Sequence, residues 1–314
     1  MTLKIGVLMD DINTIKPYKD STFAMMLAAQ SRGHELFYFQ QNDLVIETGQ
    51  AYVTRRSVTV KDKTPDYYAL GQSESCLLND FHAILMRKDP PFDMEYIYST
   101  YMLEMAERSG TLIVNPPSAL RAVNEKFYIN YFPELTPKTL VTRNISKIRQ
   151  FIAQEGKAVV KPMNGMGGMG IFKVGRDDVN TNAILESLGN GKYTIMVQTY
   201  LDKVVDGDKR VLLVDGEPAK YGLARIPQGN EFRANLATGG LGEVQALTER
   251  ELQLCQYIKP MIKDLGLLFV GLDVIGGYIT EINVTSPTCI REIEAETGER
   301  IADTLIIAIE KRCA

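Results

Sequence analysis

The chain has 314 residues, 45% of them hydrophobic, and its 35 basic and 39 acidic side chains give a formal net charge of -4. This balance excludes the large basic surface of a nucleic-acid-binding or membrane-surface protein, whereas small anionic substrates remain compatible with it. Four dispersed cysteines and only two histidines, His34 and His82, argue against a structural zinc site and do not indicate disulfides. The apolar run at residues 5–9 is too short for a signal peptide or a membrane span, so we expect a cytoplasmic protein.

The first part of the chain alternates predicted strands with predicted helices. Strands are predicted at residues 3–9, 35–39, 81–86 and 111–115, with one helix starting at Ser21 as its N-cap and another near residues 94–108. Such alternation is typical of a parallel sheet in an α/β fold. We therefore predict an N-terminal parallel-sheet βα domain over residues 1–120, and we assign both histidines to structure.

Arg87 lies in MRKDPP, directly after the buried-looking strand at residues 81–86. The carboxyl ends of strands in open α/β sheets are where such folds bind ligands. This position favours a substrate-binding role for Arg87, with a turn leading into the next helix as the alternative.

The stretch KPMNGMGGMG, residues 161–170, formally fits the dinucleotide fingerprint G-x-G-x-x-G. A Rossmann turn would open a helix at this point, but the β-branched and aromatic IFKV follows instead. We therefore predict a strand, a glycine loop and a second strand, in which backbone N–H groups cover phosphates. The alternative is a flexible hairpin tip. The glycines concerned are Gly165, Gly167, Gly168 and Gly170.

The second half of the chain has the pattern of antiparallel sheets. A strand is predicted at residues 193–201, a tight turn at residues 215–216, and a helix at residues 248–266. Between them, residues 225–243 have no sustained periodicity, as expected for a lid, a binding loop or a disordered segment. We predict a central subdomain with the glycine loop over residues 121–200 and a C-terminal subdomain over residues 201–314, which contains this segment and a metal site.

A predicted hairpin at residues 267–284 carries Asp273 on one strand and Glu281 and Asn283 on the other. A two-residue turn would pair Asp273 with Thr280, whereas a three-residue loop at residues 276–278 would pair it with Glu281. We prefer the second register because it separates the polar residues from Leu272, Val274, Ile282 and Val284. Three oxygen donors on one face suit magnesium held together with substrate phosphates, and a solvated polar face is the alternative.

Basic residues near these features are candidates for binding phosphates or carboxylates. Lys161 ends the strand before the glycine loop, and Lys126 lies in NEKF. The planar guanidinium group binds such anions through two parallel hydrogen bonds. Each residue alone is more often a surface charge. The arginine candidates are Arg210, Arg225, Arg233 and Arg291.

Together, these segments resemble the bacterial glutathione synthetases of the ATP-grasp superfamily. The resemblance lies in MRKDPP, VNEKF, KPMNGMGGMGIF, DGDKRVLLVDGEP, ARIPQGNEFRANLATGG, FVGLDVIG and TEINVTSPTCIREIE, which run from residue 86 to 294. Members commonly have Asp where Asn164 stands, and they vary at Met169 and Gly170. Because backbone amides bind the phosphate there, these departures leave the resemblance intact.

The resemblance implies an ATP-grasp fold in which antiparallel sheets with helices clamp ATP. It also implies a carboxylate-amine ligase that joins γ-glutamylcysteine and glycine through an acyl phosphate and releases glutathione, ADP and phosphate. The implied cofactors are ATP, as a substrate, and two Mg²⁺ ions, with Mn²⁺ as a substitute. No nucleic-acid or membrane partner is implied, and the family suggests a homotetramer.

The resemblance also implies roles for individual residues. Arg210, Arg225, Asn283 and Gly240 are the implied catalytic residues. The implied nucleotide-binding residues are Lys126, Lys161, Gly165, Gly167, Gly168, Gly170, Gln198, Thr199, Tyr200, Leu201 and Asp208. Arg87, Arg233, Ser286 and Thr288 are implied to bind substrate, and Asp273, Glu281 and Asn283 to hold metal. The segment at residues 225–243, with Arg233 and Gly240, is implied to be a lid that protects the acyl phosphate from water.

Three other interpretations remain open at this point. Another carboxylate-amine ligase of this fold, making a D-alanyl dipeptide or adding glutamate to a protein tail, would keep the metal hairpin but change MRKDPP and the lid. A catalytically silent nucleotide-binding protein would be expected to lack Asp273, Glu281, Asn283 or Arg225, and all four are present. A Rossmann dehydrogenase is disfavoured because no helix is predicted after the glycines.

Overall fold

A computed structural model describes residues 1–229 and 231–314 of the chain. Its N-terminal part forms one mixed sheet with two helices. In chain order the elements are β1 (Lys4–Leu8), α1 (Ser21–Ser31), β2 (Glu35–Phe39), β3 (Leu44–Glu47), β4 (Gln50–Val60), β5 (Tyr68–Leu77), β6 (Ala83–Met86), α2 (Met94–Glu107) and β7 (Leu112–Val114). The strand order is β3-β4-β2-β1-β6-β7, with β5 paired to β4. Strands β2, β1, β6 and β7 are parallel, which confirms the predicted α/β class.

Two features of this sheet differ from the prediction. Strands β3, β4 and β5 add an antiparallel extension that the predicted βα alternation does not include. The N-cap of α1 is Asp20, whose carboxylate accepts a hydrogen bond from the Phe23 amide at 2.7 Å. The predicted N-cap, Ser21, is therefore wrong. Its hydroxyl instead accepts a hydrogen bond from the Ile290 amide at 3.1 Å.

The middle of the chain forms a four-stranded antiparallel sheet. Its elements are α3 (Pro117–Ala122), β8 (Thr139–Thr142), α4 (Ile145–Glu155), β9 (Lys157–Pro162), β10 (Phe172–Gly175), α5 (Thr181–Ser187) and β11 (Ile195–Thr199). The strand order is β10-β9-β11-β8. Strands β9 and β10 pair antiparallel on either side of the glycine loop, so the predicted strand, glycine loop and strand are confirmed.

The last sheet carries the predicted metal hairpin. Its elements are β12 (Asp208–Val214), β13 (Glu217–Pro218), β14 (Tyr221–Ile226), β15 (Leu241–Ala246), α6 (Glu249–Asp264), β16 (Phe269–Ile275), β17 (Tyr278–Asn283), α7 (Ile290–Thr297) and α8 (Ile301–Cys313). The strand order is β15-β14-β12-β16-β17, with β13 paired to β12. Asp215 and Gly216 form the predicted tight turn, with φ of 51° and 78°.

Helix α8 packs against the N-terminal part of the chain. Its Leu305, Ile306 and Ile309 are fully buried in one apolar cluster with residues of β1 and α1. His34 joins the two ends: its Nδ1 accepts a hydrogen bond from the Leu3 amide at 3.2 Å, and its Nε2 lies 2.8 Å from Glu310 Oε1.

His82 also belongs to the framework, because its Nδ1 accepts a hydrogen bond from the Lys4 amide at 2.9 Å. The structural assignment of both histidines is thus confirmed. Within residues 1–229 and 231–314, no helix combines the length and apolarity needed to cross a bilayer.

Candidate active site

The β16–β17 hairpin gathers the polar residues that alternation placed on one face. Asp273 pairs with Glu281, and Gly271 with Asn283, so the preferred register is confirmed. The other face is apolar and buried in a single core cluster that includes Leu272, Val274, Ile279, Ile282 and Val284. The carboxylates are therefore held on a rigid, half-buried sheet.

The turn of this hairpin differs from the predicted three-residue loop. Ile275 pairs with Tyr278, so the loop consists of residues 276–277, whose φ of 56° and 82° suit a two-residue turn. The ladder then shifts between Asp273 and Val274, where Thr280 is the extra residue of a β-bulge. The pairing is right because the bulge supplies the offset that the prediction gave to the loop.

Two arginines from neighbouring strands enclose Asp273. Arg210, its partner in the β12–β16 ladder, donates from Nε to Oδ1 at 2.5 Å and from Nη2 to Oδ2 at 3.2 Å. Arg225 Nη2 lies 3.0 Å from Asp273 Oδ2 and 2.7 Å from Asp208 Oδ2. Since both guanidinium groups are buried, their charges interact with these carboxylates in a poorly screened environment.

Two lysines converge on Glu281 from the other side. Lys161, on β9, and Lys126, between α3 and β8, hold their Nζ atoms 3.6 and 3.8 Å from Glu281 Oε1. Both side chains are buried. Lys126 also donates to the Gly165 carbonyl and Lys161 to the Thr280 carbonyl. An ammonium group has three N–H donors, so each lysine retains donors for an anion.

The pKa values in this cluster are shifted in different directions. Burial would raise the pKa of Asp273, but the Arg210 and Arg225 charges outweigh it and hold that pKa well below its usual range. Burial raises the pKa of Asp208 to about 6, although the Arg225 charge opposes the rise. Burial likewise lowers the pKa of Lys161, against the attraction of Glu281. The Asp273 carboxyl therefore loses its proton more readily than an ordinary aspartic acid, and the Asp208 carboxyl less readily.

A first chamber of about 830 Å³, including its open mouth, lies between β9, the glycine loop and the segment after β11. One end combines apolar surface from Val159, Val204 and Ile275 with residues 198–201, which suits a flat heteroaromatic base. The other end holds the two lysines and the carboxylate pair. The predicted nucleotide residues that line it are Lys126, Lys161, Gly165, Gly167, Gly168, Gln198, Thr199, Tyr200, Leu201 and Asp208.

The loop between β14 and β15, predicted as a lid, contacts the glycine loop. Arg233 Nη1 donates to the Gly168 carbonyl at 3.1 Å and its Nη2 lies 2.6 Å from Glu231. A Cβ atom on Gly168 would lie 2.7 Å from Asn235 Oδ1. The two loops therefore form one cover over the first chamber. Asn230, within the predicted lid, lies outside the described residues.

A second chamber of about 890 Å³, including its mouth, opens on the other side of the carboxylate pair. Asp273, Glu281, Asn235 and residues 165–167 border both chambers, so a group bound in one can reach a group bound in the other. The further predicted site residues that line the second chamber are Arg210, Arg225, Asn283, Ser286 and Thr288.

Some predicted site residues lie elsewhere. Arg87 is buried, and it donates from Nε to Thr22 Oγ1 at 3.0 Å and from Nη2 to the Pro287 carbonyl at 2.9 Å. It thus supports the segment with Ser286 and Thr288 from behind. Arg291 forms an ion pair with Asp62 on the surface, at 2.8 Å.

Arg233 borders the first chamber rather than the second one. Gly240 lies in the lid, where a Cβ atom would approach the Ala234 carbonyl oxygen to 2.1 Å, so this position requires glycine. Gly170, with a φ of 69°, ends the glycine loop beside Pro162.

Sequence reasoning missed three residues that shape the site. Glu125 borders the second chamber and holds the backbone after β17. Asn115 ties the end of β7 to β16 and β17. Asn235 borders both chambers. Glu125 is adjacent to Lys126 in NEKF, which is the only signal that could have identified it.

The charges of the cluster fit an anionic nucleotide with a divalent cation. Four cationic side chains, Lys126, Lys161, Arg210 and Arg225, face three carboxylates, Asp208, Asp273 and Glu281. Asp208 Oδ1 is buried and has no hydrogen-bond partner among the described residues. Those residues also contain no group of three His, Cys, Asp or Glu arranged to hold a metal alone. A hard cation here would thus complete its ligands with phosphate oxygens.

Comparisons with known proteins agree along nearly the whole chain. Residues 3–121 match the family described as prokaryotic glutathione synthetase, N-terminal domain, and residues 125–298 match prokaryotic glutathione synthetase, ATP-grasp domain. Curated glutathione synthetases of Vibrio parahaemolyticus serotype O3:K6 (strain RIMD 2210633) and Escherichia coli (strain K12) are each 50% identical over 311 residues. Each alignment covers 99% of this chain and 98% of the relative.

Solved structures share the fold at low identity. D-cycloserine synthetase DcsG superposes with a TM-score of 0.69 at 13% identity, covering 99% of this chain and 100% of its own. The ATP-grasp ligase PsnB, complexed with a precursor peptide and AMPPNP, gives a TM-score of 0.63 at 18% identity, covering 100% and 99%. The shared fold agrees with the ATP-grasp domain matched over residues 125–298.

Proposed function

The chain belongs to the prokaryotic glutathione synthetase family, and from this premise we propose how its cleft carries out an ATP-dependent ligation. The protein is a glutathione synthetase, an ATP-dependent carboxylate-amine ligase, as 50% identity to curated glutathione synthetases along 99% of the chain indicates. The structural observation that carries the proposal is the meeting of two chambers at the Asp273–Glu281 pair. One chamber would take ATP, and the other γ-glutamylcysteine and glycine.

In this proposal the adenine lies against residues 198–201, with Asp208 towards the ribose, and the triphosphate reaches Lys126 and Lys161. The glycine loop covers the phosphates with backbone N–H groups. Lys126 and Lys161 attract the phosphates, and the surrounding protein limits screening by water.

The reaction would proceed in two steps. A cysteinyl carboxylate oxygen attacks the γ-phosphorus, the bond to the bridging oxygen breaks, and ADP leaves with that electron pair. The neutral amine of glycine then attacks the acyl carbon, and phosphate leaves and takes up the amine proton. Arg210 and Arg225 would stabilise the charge on the transferring phosphoryl oxygens, as preorganised donors do in such sites.

Divalent metal dependence is general in this family, and we propose two Mg²⁺ ions, replaceable by Mn²⁺, held by Asp273, Glu281, Asn283 and phosphate oxygens. When bound, these ions would neutralise the phosphate charge and align the transferring group. The site residues supply the carboxylate and amide oxygens that hard cations prefer.

The remaining residues are proposed to bind and shield the acyl phosphate. Ser286 and Thr288 would contact the donor carboxylate, with Arg87 supporting their segment. The lid, with Arg233 and Gly240, would exclude water. The domain limits at residues 120 and 200, a homotetramer and a cytoplasmic location also remain proposals.

The proposal is tested by ADP release from the purified protein with Mg-ATP and γ-glutamylcysteine. We expect strong turnover that depends on glycine and none when D-alanine replaces both substrates. Glu281→Ala should abolish metal-dependent turnover because it removes a proposed ligand. ADP release with D-alanine alone would move the assignment to a D-alanyl-dipeptide ligase. Absence of turnover with every substrate pair would favour a silent nucleotide-binding protein.

A further inference from the structure

Glu125 holds both neighbours of Asn283. The Glu125 carbonyl accepts a hydrogen bond from the Ile282 amide at 2.9 Å. Its side-chain Oε1 accepts from the Val284 amide at 2.9 Å and from the Thr285 amide at 3.0 Å. The Thr285 hydroxyl donates to the same oxygen at 2.8 Å. The backbone on either side of Asn283 is thus fixed by one residue 158 positions earlier in the chain.

These hydrogen bonds of Glu125 connect two parts of the site that are distant in sequence. Glu125 directly precedes Lys126, which borders the first chamber. The Nζ atom of Lys126 lies 3.8 Å from Glu281 Oε1. The backbone that Glu125 fixes carries Asn283 and leads into Ser286, both in the second chamber. Any displacement of residues 284–285 would therefore change the distance between the amide oxygen of Asn283 and the lysine beside Glu281.

We propose that Glu125 is a positioning residue, which holds Asn283 and the start of the donor-binding segment in register with Lys126. The inference rests on the proposed role of Asn283 as a metal ligand. Hydrogen bonds donated to a carboxylate are stronger than those between neutral groups, and two from backbone N–H groups and one from a hydroxyl meet on one oxygen here. Residues that orient metal ligands typically affect metal affinity by about 10–100-fold when they are removed.

The chemistry of this contact predicts an order among variants. Glu125→Ala removes the acceptor and leaves the buried Val284 amide without its partner. Glu125→Gln keeps an oxygen at the same distance from the backbone, so it should retain most of the register. Glu125→Asp keeps the charge but is one methylene shorter, so it should behave like the alanine variant.

The test is Mn²⁺ binding to the protein with ADP, measured by electron paramagnetic resonance of the free ion, with no turnover involved. We expect Glu125→Ala and Glu125→Asp to bind Mn²⁺ about 10–100-fold more weakly than the unchanged protein. Glu125→Gln should rescue most of this loss. Binding of a fluorescent ADP analogue without metal should stay within about twofold for all three variants, because Lys126 and Lys161 are intact. If the alanine variant does not fold, the aspartate variant carries the test.

Glu310→Ala is the matched control for general destabilisation. Glu310 also has three close polar contacts, from Arg32 and His34, but it lines neither chamber. It should lower the melting temperature and leave Mn²⁺ affinity unchanged. The inference would be overturned if Glu125→Ala or Glu125→Asp bound Mn²⁺ as tightly as the unchanged protein. It would also be overturned if Glu125→Gln bound Mn²⁺ as weakly as Glu125→Ala.

Asn283→Ala separates this outcome from failure of the proposed function. If Asn283→Ala weakens Mn²⁺ binding while Glu125→Ala does not, only the role of Glu125 fails. If Asn283→Ala itself binds Mn²⁺ normally, the metal assignment fails and the inference fails with it.

Discussion

At the scale of single residues, Asp208 carries a charge that its surroundings partly oppose. Burial raises its pKa from an ordinary 3.8 to about 6, against the attraction of Arg225. Because the folded pKa lies above the unfolded one, the folded protein binds more protons between these pH values. The contribution of Asp208 to the free energy of unfolding is therefore present below about pH 4 and falls as pH rises towards 6.

We predict that Asp208→Asn, which cannot become charged, removes this fall. The melting temperature of the variant, relative to the unchanged protein, should be higher at pH 7 than at pH 4.5. Thermal unfolding followed by circular dichroism across that range measures the difference. The exposed Asp66→Asn variant serves as the control. A difference that stays constant from pH 4.5 to 7 would contradict the assigned pKa shift.

Single residues also mark where sequence reasoning succeeds and where it fails. Asp273, Glu281 and Asn283 could be placed on one face because strand alternation is a local rule. Glu125 and Asn115 could not be assigned, since their partners lie 159 and 154 residues away and follow no spacing rule. For the same reason, Arg291 was predicted as a candidate for binding a phosphate or carboxylate, because the sequence does not show that its partner is Asp62.

At the scale of elements, the glycine loop is shaped by its contact with the lid. Gly168 has a φ of 84°, and a Cβ atom there would lie 2.7 Å from Asn235 Oδ1. Gly33 has nearly the same φ, 83°, with open space around its Cβ position at the end of α1. Comparing alanine variants at Gly168 and Gly33 therefore separates the effect of backbone strain from the effect of displacing the lid.

We predict that Gly168→Ala raises the KM for ATP or lowers kcat several-fold, because it displaces the lid from the glycine loop. Gly33→Ala should lower the free energy of unfolding by about 1 kcal/mol, the cost of the left-handed backbone conformation, and leave the kinetics unchanged. Steady-state kinetics and urea unfolding of both variants measure these effects. Unchanged kinetics in Gly168→Ala would refute the role of this contact in the cover.

The elements also show which local patterns were informative. The helix at residues 248–266 was predictable because Thr248 and Glu251 form a capping box, which is written in the sequence. The bulge at Thr280 was not, since two combinations of turn and bulge give the same Asp273–Glu281 pair. Strand β5 was missed because it is largely exposed and carries no apolar alternation.

At the scale of the whole molecule, Asn115 joins the N-terminal sheet to the metal hairpin. From the end of β7, its Nδ2 donates to the Phe269 and Val284 carbonyls, both at 2.7 Å. Its Oδ1 accepts from the Leu268 and Phe269 amides at 2.8 and 3.0 Å. One buried amide thus satisfies four backbone groups and fixes the carboxylate strands against the parallel sheet.

We predict that Asn115→Ala lowers the free energy of unfolding by at least about 3 kcal/mol, because unsatisfied buried polar groups cost about 1–3 kcal/mol each. Asn115→Asp should also destabilise, since a carboxylate cannot donate to the two carbonyls. Urea unfolding followed by circular dichroism measures the loss. Asn13→Ala is the control, because Asn13 contacts Asp11 and Tyr68 at the surface. A loss below about 1 kcal/mol in Asn115→Ala would mean that water replaces the amide and that other contacts join the two sheets.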